Sequence, residues 1–401
     1  MNITVIGAGA WGTALAISLA ARHRVTLWAR DAEQIAAMRV SRCNLRYLPD
    51  VSFPETLLLS SDFSASLADA ELVILAVPTA ALRVTLQGIS SRFPLSNSDT
   101  TTSHSTKLPS GVRTDGQFFA QLVKDGSQVA GYLPAGRAQR GGRSRTNEKW
   151  GTQAIREAIA RKDIVNFPGV VWLCKGFEAG TSLLPHQVAE QVLPPEFPRG
   201  VLSGPSFALE VARGLPTALV LAAGDDAFAQ RVAQNLHHSR LRVYASNDVI
   251  GVEVGGAVKN VMAIAAGVCD GMQLGSNARA ALITRGLAEI TRLGLKMGGR
   301  QETLGGLSGA GDLILTCTGD LSRNRRVGLL LAQEQSLDDI LCRLGHVAEG
   351  VYAVREVHVL AQRLDVDMPI SEAVYRVLYD HVPTHEMVAS LLNRTASLEF
   401  N

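Results

Sequence analysis

The stretch "ITVIGAGAWGTALA", residues 3–16, decides how the chain is read: it opens either a nucleotide-binding turn or a buried strand that happens to be rich in glycine. The spacing G-x-G-x-x-G does not choose between them, so the flanking residues must. Residues 2–6, "NITVI", form a short β-rich run that meets Gly7, and "WGTALAISLAARH" has the spacing of an amphipathic helix. A second β-run, "VTLWAR" (25–30), precedes the helix "AEQIAAMRV", for which Asp31 and Gln34 make a capping box. Strand, turn, helix and strand in that order give each glycine a task. Gly7 allows the tight turn, Gly9 lets the backbone approach a pyrophosphate, and Gly12 permits close helix–sheet packing, with the helix N-terminus left to hold the anion.

Working outward, "LVILAVP" (72–78), "VVWLCKG" (170–176), "RGVLSGP" (199–205) and "TALVLAAG" (217–224) are mostly continuous apolar runs suited to strands buried on both faces. They alternate with helical stretches such as "AFAQRVAQNLHH", which predicts a doubly wound, largely parallel sheet. From about residue 248 the periodicity becomes helical, through "AVKNVMAIAAGVCDG", "ARAALITRGLAEITRLGLKMG" and "VYAVREVHVLAQRL". The fold class is therefore α/β followed by all-α. Residues 1–247 form a dinucleotide-binding domain and residues 248–401 a helical domain carrying the substrate, with the boundary near Tyr244 to Glu253. No repeat of fixed period is seen.

One segment fits neither half. Residues 94–163 are Ser/Thr-rich and then Gly/Arg-rich, the composition of a solvated, poorly ordered loop. They hold 11 basic and 6 acidic residues, so the 39 basic and 37 acidic residues of the whole chain fall to 28 and 31 without them. The segment reads as a basic tether for an anionic partner or as an insertion between sheet elements, which costs little closure entropy.

The bulk composition excludes several classes. With 401 residues, 46% of them hydrophobic, the chain can bury a substantial core, and a net charge of +2 gives no reason to expect a nucleic-acid partner. Cys43, Cys174, Cys269, Cys317 and Cys342 are scattered, without C-x-x-C spacing, so neither a disulfide framework nor a zinc site is expected and a reducing cytoplasm fits. No leader pattern precedes the first strand and no uninterrupted apolar run reaches about 18 residues, so neither export nor membrane spanning is expected. No His/Cys/Asp/Glu group has metal-ligand spacing and no G-x-S-x-G elbow occurs.

Lys259, in "GGAVKNVMAIAAG", lies on a helix that is apolar and small on nearly every side. It is either a desolvated ammonium whose pKa falls towards the acid/base range or a lysine that snorkels to the surface. Asn260 is adjacent, and "GLSGAGDLILTCTGDLSRNRR" adds Asp312 on a glycine-rich turn, then Ser322, Arg323 and Asn324 at a helix start. Arg323 and Asn324 suit a phosphate. Asp312 either holds the lysine or caps the next helix. Lys175, after one buried strand, and Gly204, Ser206 and Ala208, after the next, sit where ligands bind in such sheets. His237 and His238 end a helix as dipole-complementing caps. At the end of the second strand stands Arg30, which either pairs with a 2′-phosphate, favouring NADP or dual use, or is an ordinary surface arginine.

These motifs, "VIGAGAWGTALA", "CKGFE", "SGPSFALEVARGLPTA", "GVEVGGAVKNVMAIAAGVCDG", "NARAALITRGLAE", "GAGDLILTC", "SRNRR" and "VAEGV", together resemble the bacterial-type NAD(P)-dependent glycerol-3-phosphate dehydrogenases. The resemblance covers residues 1–93 and about 165 almost to the end. It implies a Rossmann domain followed by a helical domain, an NADP or NAD cofactor with NADP favoured by Arg30, and reduction of dihydroxyacetone phosphate to sn-glycerol 3-phosphate for phospholipid synthesis. It implies Lys259 as proton acceptor, and Lys175, Asn260, Asp312, Ser322, Arg323 and Asn324 at the substrate. At the cofactor it implies Gly7, Gly9, Ala10, Trp11, Gly12, Arg30, Lys175, Gly204, Ser206, Ala208, Arg323, Val347 and Glu349. The expected partner is a triose phosphate, with a homodimer as the assembly, no nucleic acid and no stable membrane insertion. Family members pass directly from the helix near Phe93 to the strand at Val170, so the inserted segment is a departure.

Two competing readings are distinguishable. Another β-hydroxyacid-type dehydrogenase would take a carboxylate in place of the triose phosphate. A non-catalytic nucleotide sensor would have no use for the set Lys175, Lys259, Asp312 and Arg323.

Overall fold

Strands with no polar face need cover on both sides, and Leu72–Leu75 and Gly169–Trp172 are buried along their whole length. The computed structural model describes residues 1–93, 169–344 and 349–393. Its strands are β1 (Asn2–Ile6), β2 (Arg24–Trp28), β3 (Cys43–Asn44), β4 (Leu48–Ser52), β5 (Leu58–Ser60), β6 (Leu72–Leu75), β7 (Gly169–Trp172), β8 (Arg199–Ser203), β9 (Thr217–Ala222) and β10 (Leu241–Ser246). Among the described residues, eight of them form one sheet in the order β10-β9-β8-β7-β6-β1-β2-β5, and β3 pairs with β4. Every neighbouring pair in the large sheet is parallel except β8 with β9. The expected doubly wound, largely parallel sheet is thus present. Strand order reverses on either side of β1, between β2 and β6, and there the carboxyl ends of the strands leave a crevice.

The short β3–β4 hairpin, β5 and the edge strand β10 go beyond the strands read from the sequence. Ser/Thr- and Arg-rich residues 94–163 lie outside the described residues. Contacts group the sheet and the helices that follow into one unit, Met1–Phe93 with Asn166–Asn401.

The change to helices falls between Ser246, where β10 ends, and Val249. Asp248 starts the long helix Val249–Gly271 by accepting a hydrogen bond from the Gly251 N–H at 2.8 Å. By length and composition this helix could cross a membrane, but 89% of its most apolar window is buried inside the protein. It is the axis of the helical half. Helix Arg323–Leu331 crosses it with no side chain between: a Cβ on Gly267 would lie 2.0 Å from the Arg325 carbonyl oxygen, and one on Gly328 would lie 2.0 Å from that of Ile264. That crossing sets the position of the "SRNRR" segment.

Two local expectations are corrected. Asp31 caps its helix, accepting from the Glu33 and Gln34 N–H groups at 2.9 and 3.1 Å, but the Gln34 amide does not close the box. It donates instead to the Ala8 carbonyl at 3.2 Å, bracing the glycine turn from outside together with Asn44 at 3.0 Å. His237 does end its helix, yet His238 is no charge complement to the dipole. Burial and the nearby Arg22 guanidinium push its imidazole below the usual range, and its ring pairs with the Ser18 hydroxyl at 3.0 Å.

Because the Gly267–Gly328 crossing has no room for a methyl group, Gly328→Ala is expected to cost about 3 kcal/mol by overpacking. Exposed Gly224, whose Cβ would meet nothing within 4 Å, is the control: Gly224→Ala should stay within about 0.5 kcal/mol in chemical denaturation. Equal losses would remove the crossing from its role.

Candidate active site

Small residues on one face of helix Val249–Gly271 let other elements come close to it. A Cβ on Gly255 would lie 2.7 Å from the Ser308 carbonyl oxygen, in a π-helical turn, Leu307–Gly311, that leads directly into Asp312. A Cβ on Gly256 would lie 3.2 Å from Ser203 Oγ, at the end of β8, and 3.4 Å from Lys175 Cγ, three residues past β7. Backbone approach from both directions therefore converges beside Lys259.

There, one carboxylate is shared by two lysines. Lys259 Nζ donates to Asp312 Oδ1 at 2.6 Å and to Thr316 Oγ1 at 3.0 Å. Lys175 Nζ donates to Asp312 Oδ2 at 2.7 Å and to the Gly204 carbonyl at 3.1 Å. Lys259 is only 7% exposed and Asp312 only 1%, which settles the choice for Lys259: it is desolvated and does not snorkel. Burial lowers its pKa from 10.5 to about 8, with Lys175 adding to the fall and Asp312 opposing it. A lysine at that value exchanges its proton readily near neutral pH.

A second chain of contacts begins one residue later. Asn260 Oδ1 accepts from Asn324 Nδ2 at 3.0 Å, and Asn324 Oδ1 accepts from the Gly350 N–H at 3.1 Å. Ser322 is buried as the N-cap of helix Arg323–Leu331, accepting from the Arg325 N–H at 3.2 Å, and leaves the Arg323 side chain exposed. Arg325 is not free for a ligand, being bound to Asp270 and Asp320. Glu349 stands within electrostatic reach of Arg323, Lys259 and Lys175; burial pushes its carboxyl up while those cations pull it down. Val347 lies outside the described residues.

The glycine turn forms the other part of the crevice. Gly7 adopts φ +111°, and a Cβ there would lie 2.5 Å from the Ala76 carbonyl oxygen. Helix Ala10–Leu19 starts at Gly9 with no side chain capping its first N–H groups, and a Cβ on Gly9 would meet nothing within 4 Å. Gly12 packs its Cα against the Gly7 carbonyl, where a Cβ would come to 2.0 Å. Ala10 and Trp11 pack with Ala208 and Leu209 at the start of helix Ala208–Ala212, and Ser206 Oγ donates to the Gly204 carbonyl at 3.0 Å. At the end of β2, Trp28 Nε1 is buried with no partner, and Arg30 is exposed. An uncapped helix end and an open Gly9 fit a dinucleotide pyrophosphate.

The two parts meet at Lys175, bonded to Gly204 on one side and Asp312 on the other. Thr316 and the Gly350 N–H were missed by sequence reasoning. For Thr316 a signal existed, since it follows Asp312 by four residues and so shares its helix face. For a backbone N–H there was none.

Comparison with known proteins agrees with this geometry. Models described as NAD-dependent glycerol-3-phosphate dehydrogenase N-terminus and C-terminus match residues 2–122 with 151–229, and 248–389. Residues 94–122 and 151–163 fall within the first match, so the expected departure over 94–163 narrows to residues 123–150, which that match leaves out. Proteins named glycerol-3-phosphate dehydrogenase [NAD(P)+] from Nitrosomonas eutropha and Thiobacillus denitrificans are 48% and 49% identical over 399 and 400 residues. Both alignments span 100% of this chain and 99% and 100% of the relatives. A crystal structure of glycerol-3-phosphate dehydrogenase from Coxiella burnetii superposes with a TM-score of 0.76 at 36% identity, covering 98% of this chain and 99% of that one.

Removing the shared carboxylate leaves two lysines facing each other. Asp312→Asn is expected to cost about 3–5 kcal/mol at neutral pH and to bring the pKa of Lys259 below its value of about 8. A lysine depressed in the folded state is penalised most while protonated, so the deficit relative to the wild type should shrink as pH rises from the lowered value to about 8, where the wild-type Lys259 also loses its proton, and level off above it. Melting curves across that range check it, and a pH-independent deficit would contradict the arrangement.

Proposed function

The chain belongs to the NAD-dependent glycerol-3-phosphate dehydrogenase family, and we infer from that membership that it is an oxidoreductase interconverting dihydroxyacetone phosphate and sn-glycerol 3-phosphate with NAD or NADP. The observation that carries the residue assignment is the buried Lys259–Asp312–Lys175 set beside the open glycine turn. A sensor that only bound the nucleotide would have no use for a lysine held near pKa 8.

In this reading Gly7, Gly9, Ala10, Trp11, Gly12, Gly204, Ser206, Ala208, Val347 and Glu349 hold the dinucleotide, and Arg30 meets a 2′-phosphate, which favours NADP while leaving NAD in use. When bound, the reduced nicotinamide supplies the hydride that a ketone carbon needs. Arg323 and Asn324 fix the triose phosphate through its phosphate group, joined by Ser322 at the helix start. Protonated Lys259 gives its proton to the substrate oxygen as negative charge develops there, and neutral Lys259 takes it back in the oxidative direction. Asp312 keeps the lysine in place, and Lys175 and Asn260 orient the substrate. Residues 1–247 then carry most of the cofactor contacts and 248–401 most of the substrate contacts, with Lys175, Val347 and Glu349 crossing over, a division supported by the change from strand to helix after Ser246. The product is a backbone for glycerophospholipid synthesis. The five free cysteines agree with work in the cytoplasm, and a homodimer is the assembly we expect.

Loss of reduced-nicotinamide absorbance on adding dihydroxyacetone phosphate, followed with NADH and NADPH in parallel, tests the reading. Turnover with either cofactor is expected, faster with NADPH, and Arg30→Ala should remove that preference. Lys259→Ala should lose about 10² to 10⁴ in kcat, with cofactor affinity little changed. Oxidation of glycerol 3-phosphate should rise with pH through about 8 as Lys259 becomes neutral, and the reduction should fall over the same range. No turnover with a folded, cofactor-binding protein would defeat the substrate assignment.

A further inference from the structure

Apart from the lysines and their carboxylate, a buried polar link between sheet and helices is made by Glu253, 4% exposed and unused by the chemistry above. Its Oε1 accepts from the indole Nε1 of Trp172, the last residue of β7, at 2.7 Å, and from the His186 N–H at 3.1 Å. Its Oε2 pairs with His186 Nδ1 at 2.6 Å, so the carboxylate also closes the first turn of helix Pro185–Val192. Burial is the largest influence on the His186 imidazole and pulls it down, but the bond to Glu253, the charge of Glu253 and that of Glu190 together outweigh it, and the net displacement is upward, consistent with a charged pair.

Chain lengths relate this contact to the active site. From Trp172 to Lys175 is three residues of extended chain, about 10 Å. From Glu253 to Lys259 is six residues of helix, about 9 Å. Strand end and helix therefore run together over one interval, with Trp172–Glu253 as one rung and Lys175–Asp312–Lys259 as the other. Gly256, between the rungs, leaves room for the Lys175 stem.

We propose that Glu253, held by Trp172 and His186, is a positioning residue that fixes the register of helix Val249–Gly271 against β7 and so sets where Lys175 meets the Asp312–Lys259 pair. The proposal rests on the dehydrogenase reading for its effect on rate, but its structural consequence does not. Asp312 and Thr316 travel with Lys259, because their helix packs on the Lys259 helix through the turn at Ser308. Lys175 travels with the sheet, through its bond to the Gly204 carbonyl. Loosening the Glu253 rung separates Lys175 from the pair while Lys259 keeps Asp312. Of the charged and titratable groups around Lys259 (Asp312, Lys175, Glu349 and Cys317), the one removed is the cation that depresses it. The pKa of Lys259 must then rise.

Three full-length variants test this. Trp172→Phe keeps the ring bulk and removes the donor, Glu253→Met keeps the length and removes both contacts, and Glu253→Gln keeps an acceptor for the indole and an amide facing His186. The first two are expected to lower kcat by about 10- to 10²-fold, the scale of a misplacement of about 1 Å. They should also raise the Lys259 pKa by about one unit, the effect of losing a neighbouring charge. Glu253→Gln should lie nearer the wild type in both. The pKa is read by ¹⁵N NMR of the lysine side chain in cofactor-free protein, so it needs no turnover. A wild type inactive on dihydroxyacetone phosphate would sink the substrate reading while leaving this measurement intact. If Trp172→Phe lowers the melting temperature but leaves the Lys259 pKa and the rate per folded molecule unchanged, Glu253 is only structural and the proposal fails. Should Glu253→Met not fold, Trp172→Phe alone decides.

Discussion

Asp312 holds two ammonium groups that arrive on different parts of the fold, Lys259 from the long helix and Lys175 from the end of a sheet strand. An ion taken out of water costs several kcal/mol even after relaxation, so neither lysine could be this buried without the carboxylate. One negative charge between two positive ones nevertheless leaves the cluster a charge short of neutrality. That deficit bears on chemistry. In the reaction proposed above, a substrate oxygen acquiring negative charge beside Lys259 would complete the balance, and transfer of the proton would remove a charge from the cluster as it neutralises the oxygen. In that reading the cluster is better matched to the reacting state than to itself at rest, which is where stabilisation accelerates a reaction.

Such a cluster needs backbones unusually close together, and the small residues of "GVEVGGAVKN" provide that. Side chains at 255 and 256 would fill the space taken by the turn before Asp312 and by the stem of Lys175. The same economy recurs a few turns on, where Gly267 and Gly328 let helix Arg323–Leu331 touch the long helix and bring Asn324 within reach of Asn260. A helix lined this way is apolar because it is buried, which is why its hydropathy resembles that of a membrane span although nearly all of its surface is covered by protein. Glu253, Lys259, Asn260 and Asp270 are the polar exceptions, and each has a partner.

How much of this is legible in the sequence depends on the range of the interaction. The turn at Gly7–Gly12 and the caps at Asp31 and Ser322 are local, and their residue types and spacing show them directly. The burial of Lys259 could be read as one of two alternatives, because a run of small apolar neighbours marks a packed helix without saying which side faces solvent. Its bond to Asp312 spans 53 residues, and Lys175 reaches the same carboxylate across 137, separations at which no periodicity carries information. Gln34 shows the limit from the other direction. Its spacing from Asp31 fits a capping box, but the Ala8 carbonyl competes for its amide and wins. β10 escaped the strand reading because its exposed positions, Arg242 and Tyr244, break the apolar run, as befits an edge strand with its alternate residues in water.

The lysine proposed to handle the proton sits on a helix, the open turn that fits the dinucleotide sits on the sheet, and between Ser246 and Val249 the chain passes from one to the other. Hydride and proton must nevertheless reach adjacent atoms of one substrate, and misplacement by about 1 Å is costly. A covalent junction at one end of a long helix cannot enforce that alone, since a small rotation there becomes a large displacement farther along. The register has to be fixed by contacts along the length of the helix: Asp248 at its start, Glu253 against Trp172, Gly256 against Lys175, Lys259 against Asp312 and Asn260 against Asn324. Each lies within about two turns of its neighbour, so the part of the helix that carries Lys259 is tied down along its length.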